Sequence, residues 1–167
     1  MQIAILSFFH YFTPMFKKRE SVFEIEEGKF LSPKFDEKGL IPVTTTDHKS
    51  GEVLMHGYMN QEALQITIEK KEACYWSRSR NSIWHKGKTS GFVQKVLDLR
   101  IDDDQDAIWL KVQVSGSGAS CHVGYQSCFY RAVPTGVDAG RPLEFREHSK
   151  TFDPVAVYGD APNPTQL

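Results

Sequence analysis

Ile41-Pro-Val-Thr-Thr-Thr46, Asp47-His-Lys-Ser-Gly51, Glu52-Val-Leu-Met-His-Gly-Tyr-Met59 and Asn60-Gln-Glu-Ala-Leu-Gln-Ile-Thr-Ile-Glu-Lys-Lys71 follow one another without a break, and the fold rests on their order. The first run is β-branched, with Pro42 tolerated near a strand start. The second is a turn, and the third returns as a partner strand, so the two close a hairpin. Asn60 has N-cap character, and apolar residues at 63, 64 and 68 mark one face of a short amphipathic helix. Glu62 comes early and the lysines late, as the helix dipole prefers.

Beyond that helix, Cys74-Tyr-Trp76 reads as a buried strand. From Tyr75 to Leu97 there is no acidic residue, while Arg78, Arg80, Lys86, Lys88 and Lys95 are all basic. Guanidinium forks, the hydroxyls of Ser77, Ser79, Thr89 and Ser90, and N–H groups bared by two glycines are the parts of a phosphate cradle. Trp76 and Trp84 offer faces on which a base stacks. A solvated basic loop beside core tryptophans is the competing reading.

Val93–Ile101 alternates as a strand, and Ala107–Val114 is its antiparallel partner across the acidic turn Asp102-Asp-Asp-Gln-Asp106. Ser115-Gly-Ser-Gly-Ala119 then delivers Ser120-Cys-His-Val-Gly-Tyr-Gln-Ser-Cys-Phe-Tyr130 beside the sheet. Cys121, His122 and Cys128 bring soft and borderline ligands, and the aspartates bring hard ones, the types that separate zinc-like from magnesium-like sites. Two buried structural cysteines beside a surface Asp-rich turn would give the same spacing. After Arg131, a run of prolines and glycines predicts an extended tail with one short element around Leu143–His148.

Toward the N-terminus, Phe35–Ile41 is a turn built on Gly39, and residues 15–35 read as a loosely docked arm. The opening Met1–His10 is apolar but far too short to span a bilayer, and Met15 is an alternative start. At 167 residues and 40% apolar content, the chain suits one soluble domain. Net charge is −1, which gives no argument for nucleic acid or membrane as a partner. Three cysteines and no signal-peptide pattern predict a cytoplasmic protein with reduced, reactive or ligating thiols.

Five ordered motifs together resemble the phosphoribosyl-AMP cyclohydrolases of histidine biosynthesis. They are Leu54-Met-x-x-Tyr-Met-Asn60, Tyr75-Trp-Ser-Arg-Ser-Arg80, Trp84-His-Lys-Gly-x-Thr-Ser-Gly91 with Gln94, Asp102-x-Asp-x-Asp106, and Cys121-His through Ser127-Cys-Phe-Tyr-Arg131. The resemblance implies an α+β fold: a small, mixed, mostly antiparallel sheet domain with few helices, in an intertwined homodimer whose active sites draw on both subunits. It divides the chain into an arm (1–34), a catalytic domain (35–131) and a C-terminal extension (132–167).

The resemblance also implies magnesium on Asp102, Asp104 and Asp106, and zinc on Cys121 and Cys128. The family's third zinc cysteine lies between the first two aspartates, where this chain has Asp103. A carboxylate can bind zinc, so Asp103 is the expected replacement donor, and Cys74 is expected in the core. The implied substrate is an adenine nucleotide with a second phosphoribosyl group on N1, opened by water at the N1–C6 bond. Trp76, Arg78, Arg80, Trp84, His85, Lys86, Thr89 and Ser90 are the expected substrate contacts, and His122 the proton carrier. A related zinc hydrolase or deaminase on another purine-like nucleotide, and a metal- or nucleotide-binding protein without turnover, are the alternatives.

Overall fold

Alternating burial along Ile41–Asp47 (β1) places Ile41, Val43 and Thr45 in the interior. Strand β1 pairs antiparallel with Val53–Met59 (β2), Ile41 opposite Met59. On its other side β1 pairs parallel with Ile108–Val114 (β6), Val43 opposite Ile108. Gln94–Ile101 (β5) completes the order β2-β1-β6-β5 by an antiparallel ladder to β6. The one parallel pair arises because a helix and a second hairpin lie in sequence between β1 and β6. The result is a small mixed α+β chain, mostly antiparallel, with few helices.

The computed structural model describes residues 15–165; the opening residues 1–14, with the apolar Met1–His10, lie outside it. Val22–Glu26 (α1) is a single turn, whereas Gln61–Lys70 (α2) is the helix that packs the core. Asn60 Oδ1 accepts the Ala63 N–H at 2.8 Å, and Lys71 ends α2 in the left-handed conformation. Helix α2 buries Ala63, Leu64 and Thr67, and full burial of a side chain such as Leu64 contributes roughly 1.5–3 kcal/mol. Thr67, outside the apolar pattern, accepts the Cys74 N–H at 3.0 Å and so joins α2 to Cys74–Ser77 (β3). Cys74 is buried, as expected of a core residue.

Three regions carry more structure than the sequence predicts. Ser82–His85 (β4) folds back on β3, with Tyr75 opposite Trp84, inside a segment expected as one long loop. The arm is tied to the acidic turn. Gln105, itself left-handed and buried, accepts the Ser32 N–H at 2.7 Å and donates to Ile25 O at 2.9 Å. In the tail, Arg131–Ala132 (β7) pairs with Glu144–Phe145 (β8), and a further helix spans Pro154–Tyr158 (α3). Asp153 caps α3 by accepting the Val155 N–H at 3.0 Å, with Pro154 at the first turn. No helix among the described residues is long and apolar enough to cross a membrane.

Candidate active site

The β3–β4 hairpin forms one wall of a cleft of about 550 Å³. Trp76, Arg78 and Arg80 reach the cleft from β3 and its turn, and Trp84 and Lys86 from β4 and its end. Arg78 lies over the Tyr58 ring, 4.2 Å from its centroid, which fixes the direction of its guanidinium. Lys86 is only 4% exposed and sits 5.5 Å from the centre of the Trp84 ring. Burial pushes the Lys86 ammonium below its ordinary range, against the nearby sulfurs of Cys128 and Cys121, which favour its charge. Gly87 closes the turn that follows, at φ +87°, where a Cβ would lie 2.3 Å from the backbone of Phe92 and Val93. That turn carries Thr89 and Ser90 to the cleft rim.

The thiol loop faces this wall. Cys128 N–H donates to Leu54 O at 2.8 Å, and Ser127 Oγ donates to Val53 O at 2.6 Å, which stitches the loop to β2. From the other side Glu147 clamps it: its two carboxylate oxygens accept the N–H groups of Gln126 and Ser127 at 2.7 and 2.8 Å. A buried chain of hydrogen bonds reaches the loop from the core. Thr45 Oγ1 and Tyr75 Oη are 2.7 Å apart, Tyr75 Oη donates to Gln94 Oε1 at 2.7 Å, and Gln94 Nε2 donates to Ser120 Oγ at 3.0 Å.

The neighbouring Cys128 thiol holds Cys121 below the ordinary thiol range, helped by the N–H groups of Val123 and Tyr125. The same contact, with burial, holds Cys128 above that range. One thiolate is therefore already favoured before any metal arrives. Burial also lowers His122, against an Asn163 side chain that favours its protonated form. Its Nε2 is buried without a partner among the described residues.

Asp102, Asp104 and Asp106 form a second cluster, with ligand atoms all within 4.8 Å of one another. Asp102 Oδ1 shapes the turn by accepting the N–H groups of Asp106 and Ala107, both at 2.9 Å. Gln105 points inward to the arm, so the alternating aspartates on either side of it remain at the surface. Lys34 counters them, 3.1 Å from Asp106 and 3.6 Å from Asp104, and both carboxylates raise its pKa. This turn closes one end of the β5–β6 ladder, whereas Gln94, which holds the thiol loop through Ser120, starts the other. The eight residues of β5, Gln94 to Ile101, span roughly 23 Å. Within one chain the thiols and the aspartates thus lie toward opposite ends of the sheet.

Of the expected substrate contacts, Trp76, Arg78, Arg80, Trp84, Lys86, Thr89 and Ser90 meet on the cleft, together with His122 and Cys128. His85 does not join them: its Nε2 lies 2.9 Å from Glu72. Asp103 is exposed and outside the cluster of three. Glu147 and the segment from Pro154 to Pro164, which lines the cleft together with the hairpin, went unanticipated. Only the Asp153-Pro154 pair announced a helix start there. Nothing local in the sequence ties Glu147 to a loop twenty residues earlier.

A family model described as phosphoribosyl-AMP cyclohydrolase matches residues 55–130, the stretch from β2 through the thiol loop. A phosphoribosyl-AMP cyclohydrolase from Rhodopseudomonas palustris is 52% identical over 136 residues, 81% of this chain and 89% of the relative. One from Nitrobacter winogradskyi is 51% identical over 135 residues, covering 81% and 92%. One from Sinorhizobium fredii is 50% identical over 138 residues, covering 82% and 90%. Identity at this level across most of both chains spans the cleft wall, the acidic turn and the thiol loop alike, and the chain belongs to the phosphoribosyl-AMP cyclohydrolase family.

Proposed function

We propose that this chain opens the adenine ring of 1-(5-phosphoribosyl)-AMP in histidine biosynthesis. The observation that carries the reading is the cleft: a basic and aromatic hairpin wall that shares it with His122 and with Cys128 of the thiol loop. In the reaction the oxygen of water goes to C6 and the N1–C6 bond breaks. One hydrogen of that water ends on N1 and the other on the exocyclic nitrogen, leaving a primary carboxamide. Arg78 and Arg80 suit the phosphates, and Trp76 and Trp84 suit the base, so binding energy orients C6 toward the loop. His122, held neutral by its surroundings and with a free ring nitrogen, carries a proton between the water and N1.

Two adjacent sulfurs, one favoured as thiolate, fit zinc as part of its shell; Cys121 and Cys128 would hold it. Zinc, when bound, supplies the Lewis acidity that makes water nucleophilic near neutral pH. Three converging carboxylates at the surface fit magnesium, which would neutralise phosphate charge, with Asp102, Asp104 and Asp106 as its ligands. Among the described residues no third His, Cys, Asp or Glu joins the two thiols. The chain therefore works as a homodimer, in which the partner subunit's Asp103 completes the zinc shell and the acidic turn of one copy meets the thiol loop of the other. Phe129 beside Cys128, and Leu97 on β5, are each 56% exposed and give such a partner apolar surface to cover.

The test is turnover of phosphoribosyl-AMP by purified protein with zinc and magnesium supplied separately and together. Ring opening that needs both metals is expected. Tight nucleotide binding with no ring opening under any metal condition would contradict the reading.

A further inference from the structure

The C-terminal segment from Pro154 to Pro164 lies outside the family-matched stretch, yet it lines the cleft together with the β3–β4 hairpin. It is held there by specific contacts. Thr151 N–H donates to Gly124 O at 2.7 Å. Gly124 lies so close beneath it that a Cβ would meet Phe152 O at 2.7 Å. The Phe152 ring packs edge-on against Phe92, centroids 4.8 Å apart, and contacts Tyr158 at 6.1 Å. These contacts set the entry of α3, whose last residue, Tyr158, turns a half-buried ring to the cleft. Gly159 then redirects the chain so that Asn163 lines the same cleft as His122.

We propose that Tyr158 and Asn163 are substrate contacts, and that the C-terminal segment is the specificity wall of the nucleotide cleft. This rests on the reading of that cleft as a nucleotide site. Tyr158 lines the same cleft as Trp76 and Trp84, so a purine entering it meets aromatic surface from the segment as well as from the hairpin. Asn163 sits at the His122 end, where the reacting carbon becomes a carboxamide. A side-chain amide pairs with such a group as donor and acceptor at once. Six apolar or backbone-only neighbours on the segment, among them Pro154, Val155 and Pro162, keep water from that side of the base.

Two measurements on the full-length protein test the proposal: AMP binding by titration calorimetry and steady-state turnover of phosphoribosyl-AMP. Tyr158→Ala should weaken AMP binding about tenfold, as expected for loss of one stacking face, with Tyr158→Phe restoring it. Asn163→Ala should lower kcat/KM for phosphoribosyl-AMP about tenfold while leaving AMP affinity within a factor of two, because AMP lacks the reaction. A chain ending at residue 152 should show both losses. Unchanged AMP affinity in Tyr158→Ala and in the shortened chain overturns the proposal, whether or not the wild type turns over. A wild type that binds AMP in a Tyr158-dependent way without opening phosphoribosyl-AMP would uphold the wall and overturn the assigned reaction instead.

Discussion

The acidic turn and the thiol loop are built alike and finished differently. Each is anchored by a buried glutamine: Gln105 holds the aspartate turn against the arm, and Gln94 holds the thiol loop against the core. Each presents metal-ligating atoms at one end of the same sheet. The aspartate turn brings three oxygen donors within 4.8 Å of one another from a single chain. The thiol loop brings two sulfurs and stops. On the proposed reading, a protomer carries the three-carboxylate cluster at one end of the sheet and only half of a zinc site toward the other, and a second copy in opposed orientation supplies what that half site lacks.

The largest effect falls on the half site. Cys121→Ala or Cys128→Ala is expected to abolish both turnover and zinc content, measured on the same preparation by ring-opening assay and metal analysis. Full activity in either variant would remove the thiols from the mechanism. The sharper test mixes two inactive proteins. A Cys121→Ala protomer and an Asp104→Ala protomer, unfolded and refolded together, should regain about a quarter of wild-type activity, because half the dimers are hybrids with one intact site of two. If all ligands of a site came from one chain, the mixture would stay inactive.

Much of this was legible in the sequence because it was local. Asn60 announced α2, the β-branched run announced β1, and the alternation of Val93–Ile101 announced β5. The aspartates at alternate positions were legible as a cluster, because only Gln105 between them turns inward. What the sequence concealed depends on distant partners. Ser82–His85 reads as loop because its strand character comes from pairing with Cys74–Ser77 rather than from its own composition. The arm looks loose because the turn that anchors it, through Gln105 above all, lies about eighty residues away in sequence. Lys86, expected as a substrate contact, lines the cleft but is buried beside the sulfurs, and no neighbour in sequence predicts that burial.

Smaller losses should distinguish the two anchors. Glu147→Gln keeps the size of the clamp but removes its charge, weakening two charge-assisted hydrogen bonds to Gln126 and Ser127. Loosening the loop that carries both sulfurs should cost about 10- to 100-fold in zinc affinity, by analogy with other outer-shell partners of metal ligands. Chelator competition reads this, and unaltered zinc retention would show that β2 alone positions the loop. Gln105→Ala acts at the other end. It strands the Ser32 N–H and the Ile25 carbonyl, and should lower stability by about 2–3 kcal/mol in urea unfolding while zinc affinity stays at the wild-type value. A parallel loss of zinc in that variant would mean the two ends are not independent within a protomer.

The smallest expected effect sharpens the comparison most, because it touches both regions through one position. Asp103 stands in the acidic turn, exposed and unused by the three aspartates that cluster there. If its carboxylate completes the half site of a second copy, Asp103→Cys replaces a hard oxygen by a third thiolate, a better match to zinc. Zinc should then bind about tenfold more tightly, with the magnesium requirement unchanged because Asp102, Asp104 and Asp106 are intact. The gain should vanish in a Cys121→Ala background, where a new thiolate has no thiol pair to join. Equal zinc affinity in the wild type and Asp103→Cys would place position 103 outside the shell, and the missing donor would then have to come from water or from His122.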